Sequence, residues 1–263
     1  MMGPAHSLSG AAAWLGVGAA AAWLENPMPW PVLLTGMLIC SGAALAPDLD
    51  QKSATISRAF GPLSRILCGI IDTVSTAVYN ATRGKGERHR SGGHRTLTHT
   101  WPWALFIGGG FSAIAYFGGR WAVLVILFIH MVLAVEGLLW RAARVSSDVL
   151  VWLLGATSAW MLVEILDRPG NGADWLFGAD GREYLWLGVP IVVGALVHNI
   201  GDALTVSGCP VLWPIPIAGK RWYPLGTPSF MRFRAGAWVE NAVLMPAFMV
   251  LGGAGSLVAL GVV

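Results

Sequence analysis

Residues 196–205 read Leu-Val-His-Asn-Ile-Gly-Asp-Ala-Leu-Thr and close a long apolar run of the sequence. If the run is helical, His198 and Asp202 project from one face, one turn apart, where both can hold one metal ion. Ionisable residues in a segment apolar enough to lie in a bilayer are costly, so their first interpretation is functional. An aspartate that caps a helix and a histidine bonded to a backbone carbonyl would also explain the pair. The other histidines and carboxylates must decide between these interpretations.

The composition is that of a membrane protein. Hydrophobic residues make up 55% and charged residues 12% of the 263 residues, and the mean hydropathy is +0.62. These values lie outside the balance of a soluble domain and predict one integral membrane domain over residues 1–263. The cysteines Cys40, Cys68 and Cys209 are scattered, which indicates neither a disulfide framework nor a thiolate zinc site. The start lacks the basic region of a secretory signal, so the first apolar run is predicted to be a retained span.

Hydropathy predicts an all-α fold, a polytopic transmembrane bundle of about seven spans. A helical span needs roughly 20 apolar residues. The segments that meet this length, or nearly so, are residues 7–24, 30–46, 101–118, 121–140, 148–166, 184–203 and 238–261.

An amphipathic and basic insertion occupies residues 51–93, between the second and third spans. Apolar residues recur at spacings of three and four from Ile56 to Tyr79. This pattern predicts a helix, broken near Gly61 and Pro62, that lies on the membrane surface or over the bundle. The basic residues that follow favour a role in topology or in binding anionic lipids, and we expect no nucleic-acid partner.

The basic residues are distributed unequally between the two membrane faces. Alternating spans place the N-terminus and residues 47–100, 141–147 and 204–237 on one face. Of the 17 lysines and arginines, that face holds Lys52, Arg58, Arg65, Arg83, Lys85, Arg88, Arg90, Arg95, Arg141, Arg144, Lys220, Arg221, Arg232 and Arg234. The other face holds only Arg120, Arg168 and Arg182. By the positive-inside rule the first face is predicted to be cytoplasmic.

The polar residues with metal-binding or catalytic chemistry fall on that same face, although hydropathy alone placed the spans. They are His6, Asp48, Asp50, His94, Arg95, His99, His198, Asp202 and Glu240. Carboxylates and imidazoles from several distant segments at one depth are typical of a site for one or two divalent cations. Oxygen and nitrogen ligands suit zinc, which we expect, and also manganese or iron.

The spacing of these residues predicts local geometry. Pro47 should end the second helix and leave Asp48 and Asp50 extended, with both side chains pointing the same way. His94 and His99 do not share a helix face, so one should lie in the loop and the other in the first helical turn. Taken singly, each candidate also has an ordinary structural explanation, such as a turn, a cap or a first-turn acid.

Four motifs together resemble the YdjM-type family of LexA-regulated inner-membrane hydrolases that depend on metal. They are His6, Ala-Pro-Asp-Leu-Asp at 46–50, Gly-His-Arg-Thr-Leu-Thr-His-Thr at 93–100 and the stretch from 196 to 214. The family usually has histidine after the second motif, where this chain has Gln51. The resemblance implies a multi-pass protein of the bacterial inner membrane.

The order of histidines and aspartates is also remotely similar to that of zinc-dependent phospholipase C. That likeness implies metal ligands at His6, Asp50, His99, His198 and Asp202, with Asp202 able to bridge two ions. Those enzymes carry a later HxxxE pair, for which Glu240 is the only obvious substitute here.

The leading hypothesis from the sequence is a membrane-embedded hydrolase of a lipid phosphoester, with its site facing the cytoplasm. A metal-activated water would attack, and Asp48 or Asp50 would accept its proton. Arg95 and the basic residues of the loop 204–237, which are Lys220, Arg221, Arg232 and Arg234, are candidates to hold phosphate oxygens.

The sequence also allows two alternative functions. The same activated water could cleave an amide or ester in the membrane, or the protein could be a non-enzymatic metal-binding or transport protein. A transporter would place its ligands near the bilayer midplane, whereas these lie at helix ends. That placement favours hydrolysis.

Overall fold

Helices form the framework of the chain, and the computed structural model describes residues 1–176 and 183–262. Within these residues there is no strand, which confirms the all-α prediction. The helices are α1 (Gly3–Trp23), α2 (Trp30–Ala43), α3 (Pro62–Thr82), α4 (Trp101–Leu138), α5 (Trp140–Ala143), α6 (Asp148–Leu166), α7 (Gly188–Ala203) and α8 (Met245–Ala259). Arg182, which entered the charge count, lies outside the described residues.

Five helical segments of the described chain are long and apolar enough to cross a membrane. They are Trp30–Asp50, Trp101–Leu138, Asp148–Leu166, Leu185–Ala203 and Glu240–Ala259. Helix α1 has 21 residues, but its alanines, glycines and serines make it less apolar, and it is not among the five. The predicted count of seven spans therefore remains a prediction.

Helix α4 folds back on itself at Gly119. This glycine has φ of 59° and ψ of −155°, a conformation that a side chain would strain. The rings of Phe111 and His130 lie 5.4 Å apart between centroids. A straight helix would separate residues this distant in sequence by about 28 Å. The two halves of α4 are therefore antiparallel, which matches the predicted break between residues 118 and 121.

The antiparallel packing gathers the helix ends at two opposite ends of the bundle. At one end, Arg120 in the α4 turn forms ion pairs with Glu164 and Asp167 at the end of α6. At the other end, the start of α1, the end of α2, the start of α4 and the end of α7 meet. The candidate ligands lie at this second end.

The insertion forms helix α3, which begins at Pro62 after Gly61 (φ 58°), whereas residues 52–61 form turns. Much of its apolar face points away from the protein, with Leu63, Ile66 and Ile70 more than half exposed. Its buried face carries smaller or polar side chains, namely Ser64, Cys68, Ser75 and Tyr79. An outward apolar face is what a helix in the membrane interface requires.

Candidate metal centre

Two glycines bring α1, α2 and α7 into backbone contact below the candidate site. A methyl group on Gly10 or on Gly194 would lie 2.5 Å from the carbonyl oxygen of Cys40, so neither position accepts a side chain without movement. His6 lies one turn from Gly10, and His198 lies one turn from Gly194. The close approach therefore stacks the two imidazoles, whose centroids are 3.7 Å apart.

Four residues from three distant segments form the centre of the site: Asp48, His99, His198 and Asp202. Nε2 of His99 lies 3.3 Å from Nε2 of His198. Each of these nitrogens lies 3.6 to 3.8 Å from a carboxylate oxygen of Asp48 and of Asp202. Ligand atoms about 2.0–2.1 Å from a tetrahedral zinc ion lie about 3.4 Å from one another. The distances that involve the two imidazoles are therefore close to those of a tetrahedral cation site, and all four ligand atoms lie within 4.8 Å of one another.

The orientation of His198 suits a metal ligand. Its Nδ1 lies 2.7 Å from the carbonyl oxygen of Ala44, to which it donates, so Nε2 is left as the lone-pair nitrogen that faces the group. The neighbouring His6 is fully buried, and neither of its ring nitrogens has a hydrogen-bond partner among the described residues. Its Nε2 lies only 3.2 Å from Oδ1 of Asp202. His6 belongs to neither group of possible ligands, but a buried nitrogen without a hydrogen-bond partner beside a carboxylate fits a position next to a cation site.

A second group consists of Asp48, Asp50 and His94 and shares Asp48 with the first. Nδ1 of His94 lies 2.8 Å from Oδ1 of Asp50, and the Thr98 hydroxyl donates to Oδ2 of Asp50 at 2.7 Å. The structure thus brings all three residues together, and it makes Asp48 the residue common to both groups. The sequence had suggested Asp202 for this bridging role.

The local geometry of the two aspartates differs from the prediction. Residues Ala46–Asp50 form a 3₁₀ turn rather than an extended segment, because the chain continues to coil after α2. With three residues per turn, Asp48 and Asp50 point in different directions. Asp48 therefore lies near Nε2 of His99 and of His198, whereas Asp50 contacts His94 and lies 3.6 Å from Nδ1 of His99, on the other side of that ring. His99 lies at the end of a 3₁₀ turn just before α4, not in the first α-helical turn.

Positive groups partly balance the three carboxylates. Arg95 donates to Oδ2 of Asp202 at 2.8 Å, and the α-amino group of Met1 donates to Oδ1 at 2.6 Å. The sequence did not suggest this contact of the amino terminus. Burial alone would lower the pKa of His99, but its contacts with Asp202 and Asp48 raise that pKa to about 9. The carboxylates of Asp202 and Asp48 therefore favour a positive charge at the His99 ring, which a proton or a bound cation can supply.

Glu240 lies apart from both ligand groups as the structure describes them. It is buried, and it accepts hydrogen bonds from the backbone N–H groups of Met2 at 2.5 Å and Gly236 at 2.7 Å. These bonds connect the start of the chain to the segment before α8. The geometry thus supports a structural role for Glu240, and its predicted role as a metal ligand gains no support.

A cavity of about 270 Å³ opens onto the ligands and is lined by three arginines. Asp48, Asp202 and Arg95 form part of its wall, and Arg58 and Arg144 line it from the other side. The sequence placed Arg58 and Arg144 on this face but did not identify them as site residues. Their segments, before α3 and after α5, carry no recognisable motif.

The four basic residues predicted in the loop 204–237 do not line this cavity. Arg221 donates to the carbonyl oxygen of Thr82, and Arg232 donates to that of Thr227. The loop nevertheless packs over the site, because the Cys209 thiol donates to the carbonyl oxygen of His99. The loop 204–237 therefore covers the ligands but contributes no arginine to the cavity wall.

The family model of the YdjM inner membrane protein matches residues 1–261 of the chain. Comparison with the curated proteins and with the solved structures gave no match. The likeness to zinc-dependent phospholipase C gains no support from these comparisons and stays a prediction.

Proposed function

The chain belongs to the YdjM inner membrane protein family, and we propose that it is a membrane-embedded, metal-dependent hydrolase of a lipid phosphoester. One observation carries the proposal. Two overlapping sets of metal-ligand residues share Asp48, and both adjoin a cavity lined by Arg58, Arg95 and Arg144. Acids and imidazoles beside convergent arginines suit a phosphate group better than a neutral substrate.

The candidate ligands would hold two cations. Asp48, His99, His198 and Asp202 would hold one cation, and Asp50 and His94 would hold a second with Asp48. When bound, divalent cations supply Lewis-acid activation of water and neutralise phosphoryl charge. Zinc suits the tetrahedral first group, and manganese or iron suits the same donor types.

The chain's own side chains would bind and orient the phosphate and accept the proton from water. Arg58 and Arg144 lie at the exposed side of the cavity, where they can hold phosphate oxygens. The Asp48 side chain is 20% exposed and faces the cavity, so it is better placed than Asp50 to contact water there, and it would accept a proton only through an oxygen that holds no cation. Both oxygens of Asp50 are already engaged by His94 and Thr98.

An amide or ester hydrolase would use the same ligands, but the arginines favour an anionic substrate. A metal transporter would need ligands along a path through the bilayer, whereas these residues lie at the helix ends. The positive residues on this side favour a site that faces the cytoplasm.

The proposal is tested with purified protein in detergent, assayed for bound metal and for hydrolysis of lipid phosphates and phosphodiesters, with and without a chelator. Asp202→Asn should lose metal-dependent turnover while the protein stays folded. Glu164→Gln, a carboxylate change at the opposite end of the bundle, is the matched control and should leave turnover unchanged. Undiminished hydrolysis by Asp202→Asn, or a protein that binds no metal, would contradict the proposal.

A further inference from the structure

A second cavity, almost entirely apolar, lies between α3 and the α4 hairpin and has a volume of about 390 Å³. Leu67 and Ile71 of α3 and Phe111 and Phe128 of α4 contribute to its walls. We call this cavity the apolar cleft.

The few polar side chains of the apolar cleft are engaged within the protein. Ser64 donates to the carbonyl oxygen of Gly61, and Nδ1 of His130 lies 2.7 Å from the carbonyl oxygen of Ile126. Thr98 donates to Asp50. The cleft therefore offers its occupant a hydrocarbon surface and little hydrogen bonding.

The apolar cleft extends along a membrane helix, from the end that carries the metal ligands towards the middle of the bundle. On α4 it runs from Trp103 to Phe111, a distance of about 12 Å along the helix axis. Val125, on the returning half of the hairpin, lines it and is 58% exposed. The cleft is thus open sideways, where the surrounding medium is lipid.

The apolar cleft adjoins the arginine-lined cavity. Ile56 lines both, so the two cavities meet at this side chain. Leu49, which lies between Asp48 and Asp50 in the 3₁₀ turn, lines the apolar cleft. One molecule with a polar phosphate and an apolar chain can therefore occupy both spaces.

We infer that the apolar cleft binds one acyl chain of the membrane lipid whose phosphate group occupies the arginine-lined cavity. The inference rests on the proposed function and specifies its substrate as a lipid that enters from the side, within the bilayer. A helix of another protein does not fit, because 12 Å of helix about 10 Å wide occupies about 900 Å³. A hydrocarbon chain is the narrow apolar partner that the membrane supplies.

The test uses the full-length protein in lipid nanodiscs with phosphatidic acid that carries a photoactivatable diazirine near the end of one acyl chain. Cross-linked peptides are mapped by mass spectrometry without added metal, so the readout does not depend on turnover. We expect the label in the segments 103–111 and 125–133, with competition by excess unlabelled phosphatidic acid. Label spread evenly over lipid-exposed helix faces would overturn the inference.

Val125→Trp places a bulky ring at the open edge of the apolar cleft, where exposure leaves the core undisturbed. Leu153→Trp is the matched control, since Leu153 is equally exposed on α6 and does not line the cleft. Blocking the open edge should remove most of the cleft-specific cross-linking in Val125→Trp and leave the control unchanged. Equal cross-linking in both variants would overturn the inference.

A second measurement needs no substitution. Competition by alkyl phosphates, compared at equal concentrations within the nanodisc membrane, should strengthen with chain length until the chain fills the cleft and then level off. Competition independent of chain length would overturn the inference even if the protein hydrolyses lipid phosphates. Cleft-specific cross-linking without any hydrolysis would instead contradict the proposed function and leave the acyl-chain site standing.

Discussion

At the scale of single residues, Asp48 is the position on which both ligand groups depend. Asp48→Ala should remove a ligand from each group and lower bound metal to near zero, whereas His94→Ala should affect only the second group. Elemental analysis of the purified variants measures this difference as moles of metal per mole of protein. Glu164→Gln serves as the control, and full metal content in Asp48→Ala would refute the shared role.

Arg58 and Arg144 line the observed cavity, whereas the sequence had suggested Arg95 and the loop 204–237 as the source of phosphate-binding residues. The double change Arg58→Ala with Arg144→Ala should raise KM for a lipid phosphate about tenfold or more, because charge-assisted hydrogen bonds to the phosphate are lost. The pair Arg232→Ala with Arg234→Ala is matched in charge and should have little effect. If the second pair carries the larger loss, the loop 204–237 holds the phosphate after all.

The sequence was informative about which acids and imidazoles meet, because metal ligands are costly in an apolar chain and therefore conspicuous. It was uninformative about Arg58 and Arg144, since arginines are common on a basic face and nothing distinguishes two of them in advance. The different contacts of Asp48 and Asp50 were not predictable either, because they depend on a 3₁₀ turn that Pro47 permits but does not specify.

At the scale of helices, the site depends on the contact of α1 and α7 with α2 at Cys40. Gly10→Ala should push α1 away from the Cys40 carbonyl oxygen, cost about 1–3 kcal/mol and weaken metal binding, because His6 on α1 stacks on the ligand His198. Thermal unfolding in detergent and metal titration measure the two effects. Gly16→Ala, in the same helix with no atom within 4 Å of the added methyl, should be neutral or slightly stabilising. Equal effects of both changes would argue against the close contact.

Hydropathy located the long helices well, since a long apolar run has few alternatives to a helix in lipid. The close contacts between them were not predictable, because small residues occur throughout the chain and only some meet another backbone. Gly16 and Gly10 look alike in the sequence, yet one faces open space and the other faces Cys40. The apolar cleft was not predictable either, because it depends on how α3 packs against α4.

At the scale of the whole molecule, the site and most of the lysines and arginines lie at one end of the bundle, which predicts that this end faces the cytoplasm. The natural cysteines are free and buried, so introduced cysteines can report the orientation with little background. Ser91→Cys lies exposed on the basic side, and Arg168→Cys lies exposed at the opposite end. In intact spheroplasts a membrane-impermeant maleimide should label Arg168→Cys and label Ser91→Cys only after permeabilisation. The unsubstituted protein is the control. The opposite pattern of labelling would place the metal centre on the outer face of the membrane, and the lipid substrate would then come from the outer leaflet.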